Sequence, residues 1–252
     1  MKMKISFSVW LFAIFLAVNT ASADETGTQQ DARAIEVLKS MSAYSESLDR
    51  VTIKSVSFTD ARLDAGLMVA NSSEVDVVID RPGSLYISSF DGAEKKEIYF
   101  HDGTLTVYGS EKNFYAQANI PKDIEAALEF ALEELEVEAP LMDLIYQDVS
   151  THLISTQENI LYLTDKARIA GTDCHHIAIR GLEADVQLWV EEGDRPVLRK
   201  IMITSKWEGG SPRFMANLVW VADPEIDKKT FIFEAPEGST NIGFVESNRG
   251  EE

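Results

Sequence analysis

The chain has 252 residues, 23 Lys and Arg against 42 Asp and Glu, a formal net charge of −19 and one cysteine. So acidic a surface repels phosphate backbones, and no basic patch offsets it, which argues against nucleic-acid binding and broad docking on anionic headgroups. A lone cysteine excludes an intrachain disulfide, so the core must carry stability by itself, as it can at this size.

The N-terminus has the layout of a secretory leader. Lys2 and Lys4 precede an apolar run over 5–18, and Ala21 and Ala23 have the spacing a signal peptidase requires. The expectation is a signal peptide over 1–23 cleaved after Ala23, which delivers the chain to the periplasm and takes its net charge from −19 to −21. The run is too short to span a bilayer comfortably, and no other segment is long and apolar enough to cross one.

Residues 24–252 read as a single domain that starts with a polar lead-in over 24–30. From Asp31, a plausible N-cap, Ala32, Ile35, Leu38 and Met41 recur at helical spacing, with Ala34 and Val37 widening the stripe. This first helix should end near Leu48. The period then changes to two. Strands are expected at 51–58, 74–79, 85–90, 97–100, 105–109 and 114–120, with RPGS (81–84) as a turn and His101-Asp102-Gly103 as a tight hairpin.

Pro121 stops this meander, and 122–147 runs helical. Ile124, Leu128, Ala131, Leu132 and Leu135 form its apolar stripe, Ala127 and Phe130 broaden it, and Pro140 opens a second short helix with Leu141, Leu144 and Ile145. Strands resume at 160–170, 174–180, 185–192, 198–207 and 213–222, and strand-like FIFEAP (231–236) closes the domain before a tail over 246–252 that reads as disordered. The total is roughly eleven strands with two helical regions. Several strands are apolar on both faces, so the sheet must be covered on both or curl to enclose something.

Residues 101–148 resemble an uncharacterised family of predicted periplasmic proteins, domain of unknown function 2092. Residues 171–204 resemble the same family, where a Cys-x-His, a strand Trp and G-x-x-P-x-x-R-K are met by Cys174, His176, Trp189, Gly193, Pro196, Arg199 and Lys200. The resemblance implies the α+β, mainly antiparallel fold of the LolA-like lipoprotein carriers, a curled half-open barrel lidded by helices. Related folds hold acyl chains or lipoproteins, and others serve as sensors.

The Cys-His-His run is the one stretch that invites chemistry. On a strand, Cys174 and His176 share a face and His175 points the other way, which leaves two ligands where a zinc site needs three or four. A strand cysteine also lacks the helix N-terminus or fixed cation that would activate it. Cys174 and His176 are therefore read as family markers, a small buried thiol with a hydrogen-bonded histidine beside it. No nucleophile elbow, H-E-x-x-H, phosphate loop or dinucleotide fingerprint is present, so no catalytic, cofactor or metal residue is assigned and no enzyme activity is expected.

What remains is apolar surface. The expected function is a periplasmic binding protein or carrier for a lipid, lipoprotein acyl chain or other hydrophobic ligand. The ligand would lie between the concave sheet and the lid, against Ile124, Leu128, Phe130, Leu132, Leu141, Leu144, Ile145, Trp189 and Trp220. The alternative is an envelope protein-interaction or sensing module built on the same shell.

Overall fold

The computed structural model describes residues 29–244 apart from 65, 138–140, 142–143, 147–153, 155–158 and 208. The leader at 1–23, the tail at 246–252 and much of the second half of the helical insertion lie outside the described residues.

In chain order the elements are β1 (Gln29–Gln30), α1 (Ala32–Glu46), β2 (Arg50–Arg62), β3 (Met68–Asp80), β4 (Ser84–Phe90), β5 (Lys95–His101), β6 (Thr104–Gly109) and β7 (Phe114–Asn119). There follow α2 (Ile124–Leu135), β8 (Asn159–Ile169), β9 (Thr172–Arg180), β10 (Ala184–Glu191), β11 (Leu198–Ser205), β12 (Arg213–Ala222), a 3-10 turn at Lys228–Phe231, and β13 (Thr240–Asn241). All strands join one 13-stranded sheet in the order β1-β8-β9-β10-β11-β12-β2-β3-β4-β5-β6-β7-β13. Pairing is antiparallel except where β1 and β13 run parallel to β8 and β7. The two meanders meet where β12 pairs with β2, from Phe214↔Thr59 to Ala222↔Val51. The sheet ends at β1 and β13 and does not close on itself. It is an open curled sheet with two helices.

Both helices are fixed at their starts by an aspartate. Asp31 accepts a hydrogen bond from the Arg33 backbone N–H, and Asp123 accepts from those of Glu125 and Ala126, satisfying donors that have no partner inside the helix. Each then buries one stripe, Ala34, Val37, Leu38 and Met41 on α1 and Ile124, Ala127, Leu128 and Ala131 on α2. The hairpin at Asp102-Gly103 forms with both residues at positive φ, and a Cβ on Gly103 would fall 3.0 Å from the Ile120 carbonyl oxygen. Glycine is required there by conformation and by space.

Two expectations are corrected. The β2–β3 hairpin is longer than expected, because residues 59–73 lack an alternating pattern yet complete the ladder from Thr59↔Asn71 to Arg62↔Met68. The segment 231–236 is no strand. Phe231 ends the 3-10 turn and is buried, and Phe233 lies 5.0–5.5 Å from the rings of Tyr99, Tyr108 and Tyr115, so ring packing replaces ladder bonds.

Candidate functional site

Strand register sorts the side chains of the sheet onto two faces. On the helix-covered, inner face, one row across the sheet runs Val51, Ile79, Leu85, Phe100, Leu105 and Ala118. The next runs Trp220, Ile53, Val77, Ile87, Ile98, Val107 and Ala116. Under α2 these rows are fully packed. Leu85, Ile98, Phe100, Leu105 and Ile120 meet Ala127, Leu128, Ala131 and Val137 around a cavity of only about 10 Å³, the space of a single water.

Toward the end where β2 turns into β3, the inner face changes character. Leu218, Ser55 and Val75 form one row, Leu188, Ile201, Ala216, Ser57 and Ser73 the next, and Val186, Ile203, Phe214 and Thr59 the one beyond. Val186, Ile203 and Phe214 are only half-buried although they face the core. Ser57 Oγ lies 2.7 Å from Ser73 Oγ. Ser55 Oγ is buried and has no hydrogen-bond partner among the described residues, in an environment where an unpaired hydroxyl costs roughly 1–3 kcal/mol.

The expected site residues divide between the two faces. Ile124, Leu128 and Ile145 are buried, and Phe130, Leu141 and Leu144 are half-buried against the same core. Trp220 stands in the inner rows and donates its indole N–H to the Leu198 carbonyl at 2.8 Å. Leu132 departs from the expected stripe. It is 39% exposed, because it stands at the edge of the stripe that Ile124, Ala127, Leu128 and Ala131 bury, rotated about 100° from Ala131. Trp189 also departs from expectation. Its neighbours Leu188 and Val190 take the inner face, so Trp189 points outward and stacks on His176 at 4.3 Å and 14°, with Lys200 Nζ 4.8 Å from its centroid.

The Cys-His-His run is split by the same alternation. Cys174 pairs with Glu191 and His176 with Trp189 across a regular stretch of β9–β10. Cys174 is fully buried beside the Glu191–Arg199 ion pair, and desolvation pushes its thiol above the usual range. His176 Nε2 lies 3.0 Å from Gln187 Oε1. His175 faces inward and meets Tyr162 Oη at 3.0 Å, beneath the Arg33 guanidinium of α1, 4.1 Å above the tyrosine ring. Among the described residues, no three His, Cys, Asp or Glu stand close enough to hold a metal.

Sequence reasoning missed three features. The serine row was legible, since Val51, Ile53, Ser55 and Ser57 keep period two, but serines in an apolar row were passed over. Phe214, Ile203 and Val186 carried no signal that would separate a rim from a core. Arg81 also went unnoticed. It sits in a polar cleft of about 250 Å³ with Asp49, Asp123 and Glu125, and its Nη2 donates 2.6 Å to the Ile145 carbonyl, tying the second part of the helical insertion to the β3–β4 turn. Burial lowers its pKa from the usual guanidinium value.

Among solved structures, LprF from Mycobacterium bovis is 12% identical with a TM-score of 0.49, covering 78% of this chain and 96% of its own. A chain of the MucA/MucB complex of Pseudomonas aeruginosa is 14% identical at a TM-score of 0.45, with 81% and 62% covered. A LolA superfamily protein from Nitrosomonas europaea is 10% identical at 0.36, with 79% and 97% covered. No curated protein matches the chain by sequence. Residues 34–245 match the family described as "Predicted periplasmic protein (DUF2092)", and the chain belongs to that family.

Proposed function

We propose that the protein is a periplasmic binding protein or carrier for a lipid, a lipoprotein acyl chain or another amphiphile, held on the inner face of the open sheet beneath its helical cover. The observation that carries this reading is the half-buried apolar rim of Val186, Ile203 and Phe214, with the buried Ser55 hydroxyl, unpartnered among the described residues, two rows further in on the same face. Apolar rows bind a hydrocarbon tail through the area they remove from water, and a lone hydroxyl is satisfied by a carbonyl or hydroxyl on the ligand. The region under α2 has no room to spare, so the ligand lies along the rim or takes the place of lid contacts. The leader at 1–23, cleaved after Ala23, delivers the chain to the periplasm in this reading, and no cofactor takes part.

The protein is purified from its native host without detergent, weighed by native mass spectrometry, and titrated with the fluorescent fatty acid cis-parinarate. A retained lipid mass, or saturable uptake of about one probe per chain, is expected, and Phe214→Asp should abolish it. A ligand-free mass together with no probe uptake would overturn the reading. A second reading, a protein-interaction or sensing module, is favoured by the outer face of β2 and β12, where Val56, Val219 and Val221 are exposed. A partner that binds with the inner face intact and no lipid present would support it.

A further inference from the structure

The hairpins of the sheet turn at two opposite ends, and the ends differ. Register places the β2–β3, β9–β10 and β11–β12 turns at one end, next to one another in sheet order. Their tips carry Leu63 (49% exposed), Leu67 (60%), Leu182 (80%) and Trp207 (76%). At the other end, the turns at 81–83, 102–103, 170–171 and 192–197 hold no exposed large apolar side chain among the described residues. Scattered exposed apolar residues are normal, whereas a set gathered on adjacent tips marks a surface that meets something apolar.

The tips are held together. The Lys206 backbone N–H donates to the Glu183 carbonyl and its Nζ to the Gly181 carbonyl, joining two of the turns. The Arg62 guanidinium lies against Gly66 on its own turn and Gly209 on the neighbouring one, so close that a Cβ on Gly209 would sit 3.0 Å from Nη1. The half-buried inner rim of Val186, Ile203 and Phe214 opens toward this same end.

Charge supplies the identity of the occupant. The chain carries −19, whereas the sequence of these tips is close to balanced, with Arg62, Arg180, Lys206 and Arg213 against Asp60, Asp64, Glu183, Asp185 and Glu208. Arg213 pairs with Asp60, and Lys206 and Arg180 pair with Asp185, while Arg62 belongs to no ion pair among the described residues. An anionic bilayer repels the protein on its acidic faces and is approached through its nearly neutral, apolar end. There Trp207 takes the interfacial level, the leucines reach the acyl boundary and the unpaired Arg62 meets a lipid phosphate.

We infer that this end docks on a phospholipid bilayer through Leu63, Leu67, Leu182, Trp207 and Arg62. The half-buried rim of Val186, Ile203 and Phe214 then faces the membrane, and an acyl chain passes between them without crossing water. The docking surface stands on its own geometry, while its role in transfer rests on the function proposed above.

The mature chain is floated with vesicles of phosphatidylethanolamine and phosphatidylglycerol, and with vesicles of phosphatidylcholine alone, some carrying brominated acyl chains. Bound protein with bromine-quenched tryptophan emission is expected, and Trp207→Phe should remove most of the quenching. The triple variant Leu67→Ser, Leu182→Ser, Trp207→Ser should bind at least about tenfold more weakly. Arg62→Gln should weaken binding to the anionic vesicles more than to the neutral ones, and Val219→Ser on the outer face should change nothing. Protein that stays unbound with both vesicle types overturns the inference, as does a triple variant that floats like the parent. So does a concentration-dependent dimer in sedimentation that the triple variant abolishes, since the tips would then meet a second copy. Cis-parinarate uptake in solution reads the hollow separately, so a failure of docking and a failure of ligand binding are told apart.

Discussion

One sheet offers two kinds of inner surface side by side. Under α2 the inner rows of β4, β5 and β6 are all hydrocarbon, buried apart from the half-buried Val107, and closed to within about 10 Å³. A few ångströms along, where β10, β11, β12, β2 and β3 approach their turns, apolar side chains are half-exposed and serines interrupt the rows. The first surface has the density of a protein interior and gains nothing by opening. The second keeps apolar area in partial contact with water, a cost that a bound amphiphile would remove, and leads two rows inward to the buried Ser55 hydroxyl. On the function proposed above, stability resides in the lidded half and binding capacity in the other.

The same truncation made in each half breaks that comparison most sharply. Phe100 is 1% exposed in the lidded half, so Phe100→Ala should cost about 3–5 kcal/mol in urea unfolding, the range for a large side chain that leaves a dry cavity. Phe214→Ala should cost about 1–2 kcal/mol, because the half-buried ring has less area to lose and solvent can fill its place. In cis-parinarate titrations the order should invert, with Phe214→Ala the poorer binder among folded variants. Equal losses of stability would mean that the rim is core.

A smaller effect separates the two serines. Ser55→Ala removes an orphaned buried hydroxyl, so it should raise stability by about 1 kcal/mol while weakening binding of a carbonyl-bearing ligand relative to a plain hydrocarbon. Ser57→Ala strips the Ser73 hydroxyl of its 2.7 Å partner, and should lower stability by a similar amount. Thermal melts of the pair read the sign directly. A Ser55→Ala variant less stable than the parent would show that the hydroxyl is already satisfied.

Period and punctuation carried most of the architecture. Asp31 and the Ala34, Val37, Leu38 and Met41 stripe announced α1, and the Asp102-Gly103 turn announced its hairpin, because caps and turns are decided within a few residues. The distal half of the β2–β3 hairpin was invisible, since polar residues such as Asn71 and Ser72 enter a ladder when a partner strand is already in place. The site was harder to read for a related reason. Trp189 and Trp220 look alike in sequence, each an aromatic within an apolar strand, and only register tells which one faces inward. Composition is local, whereas facing is a property of the whole sheet.

Leu132 gives the smallest expected effect and tests that distinction on a helix. It lies one residue from Ala131, which is 3% exposed, but the 100° step between them carries its side chain out of the packed stripe. On the exposed side it stands three residues after Glu129 and four before Glu136, in a helix with no basic residue in its last turn. Leu132→Lys therefore exchanges an exposed apolar side chain for a cation at helical contact spacing from Glu129, with the left-handed C-cap Glu136 beyond it, and it places positive charge toward the negative end of the helix dipole. Urea unfolding should show a change within about 0.5 kcal/mol, of stabilising sign at low salt and fading as salt screens the pairs. Cis-parinarate uptake should be unaffected, because the residue stands at the edge of the packed stripe and on no row of the rim. A loss of several kcal/mol would put Leu132 against the sheet, and with it the lid residues that follow on the same face of α2.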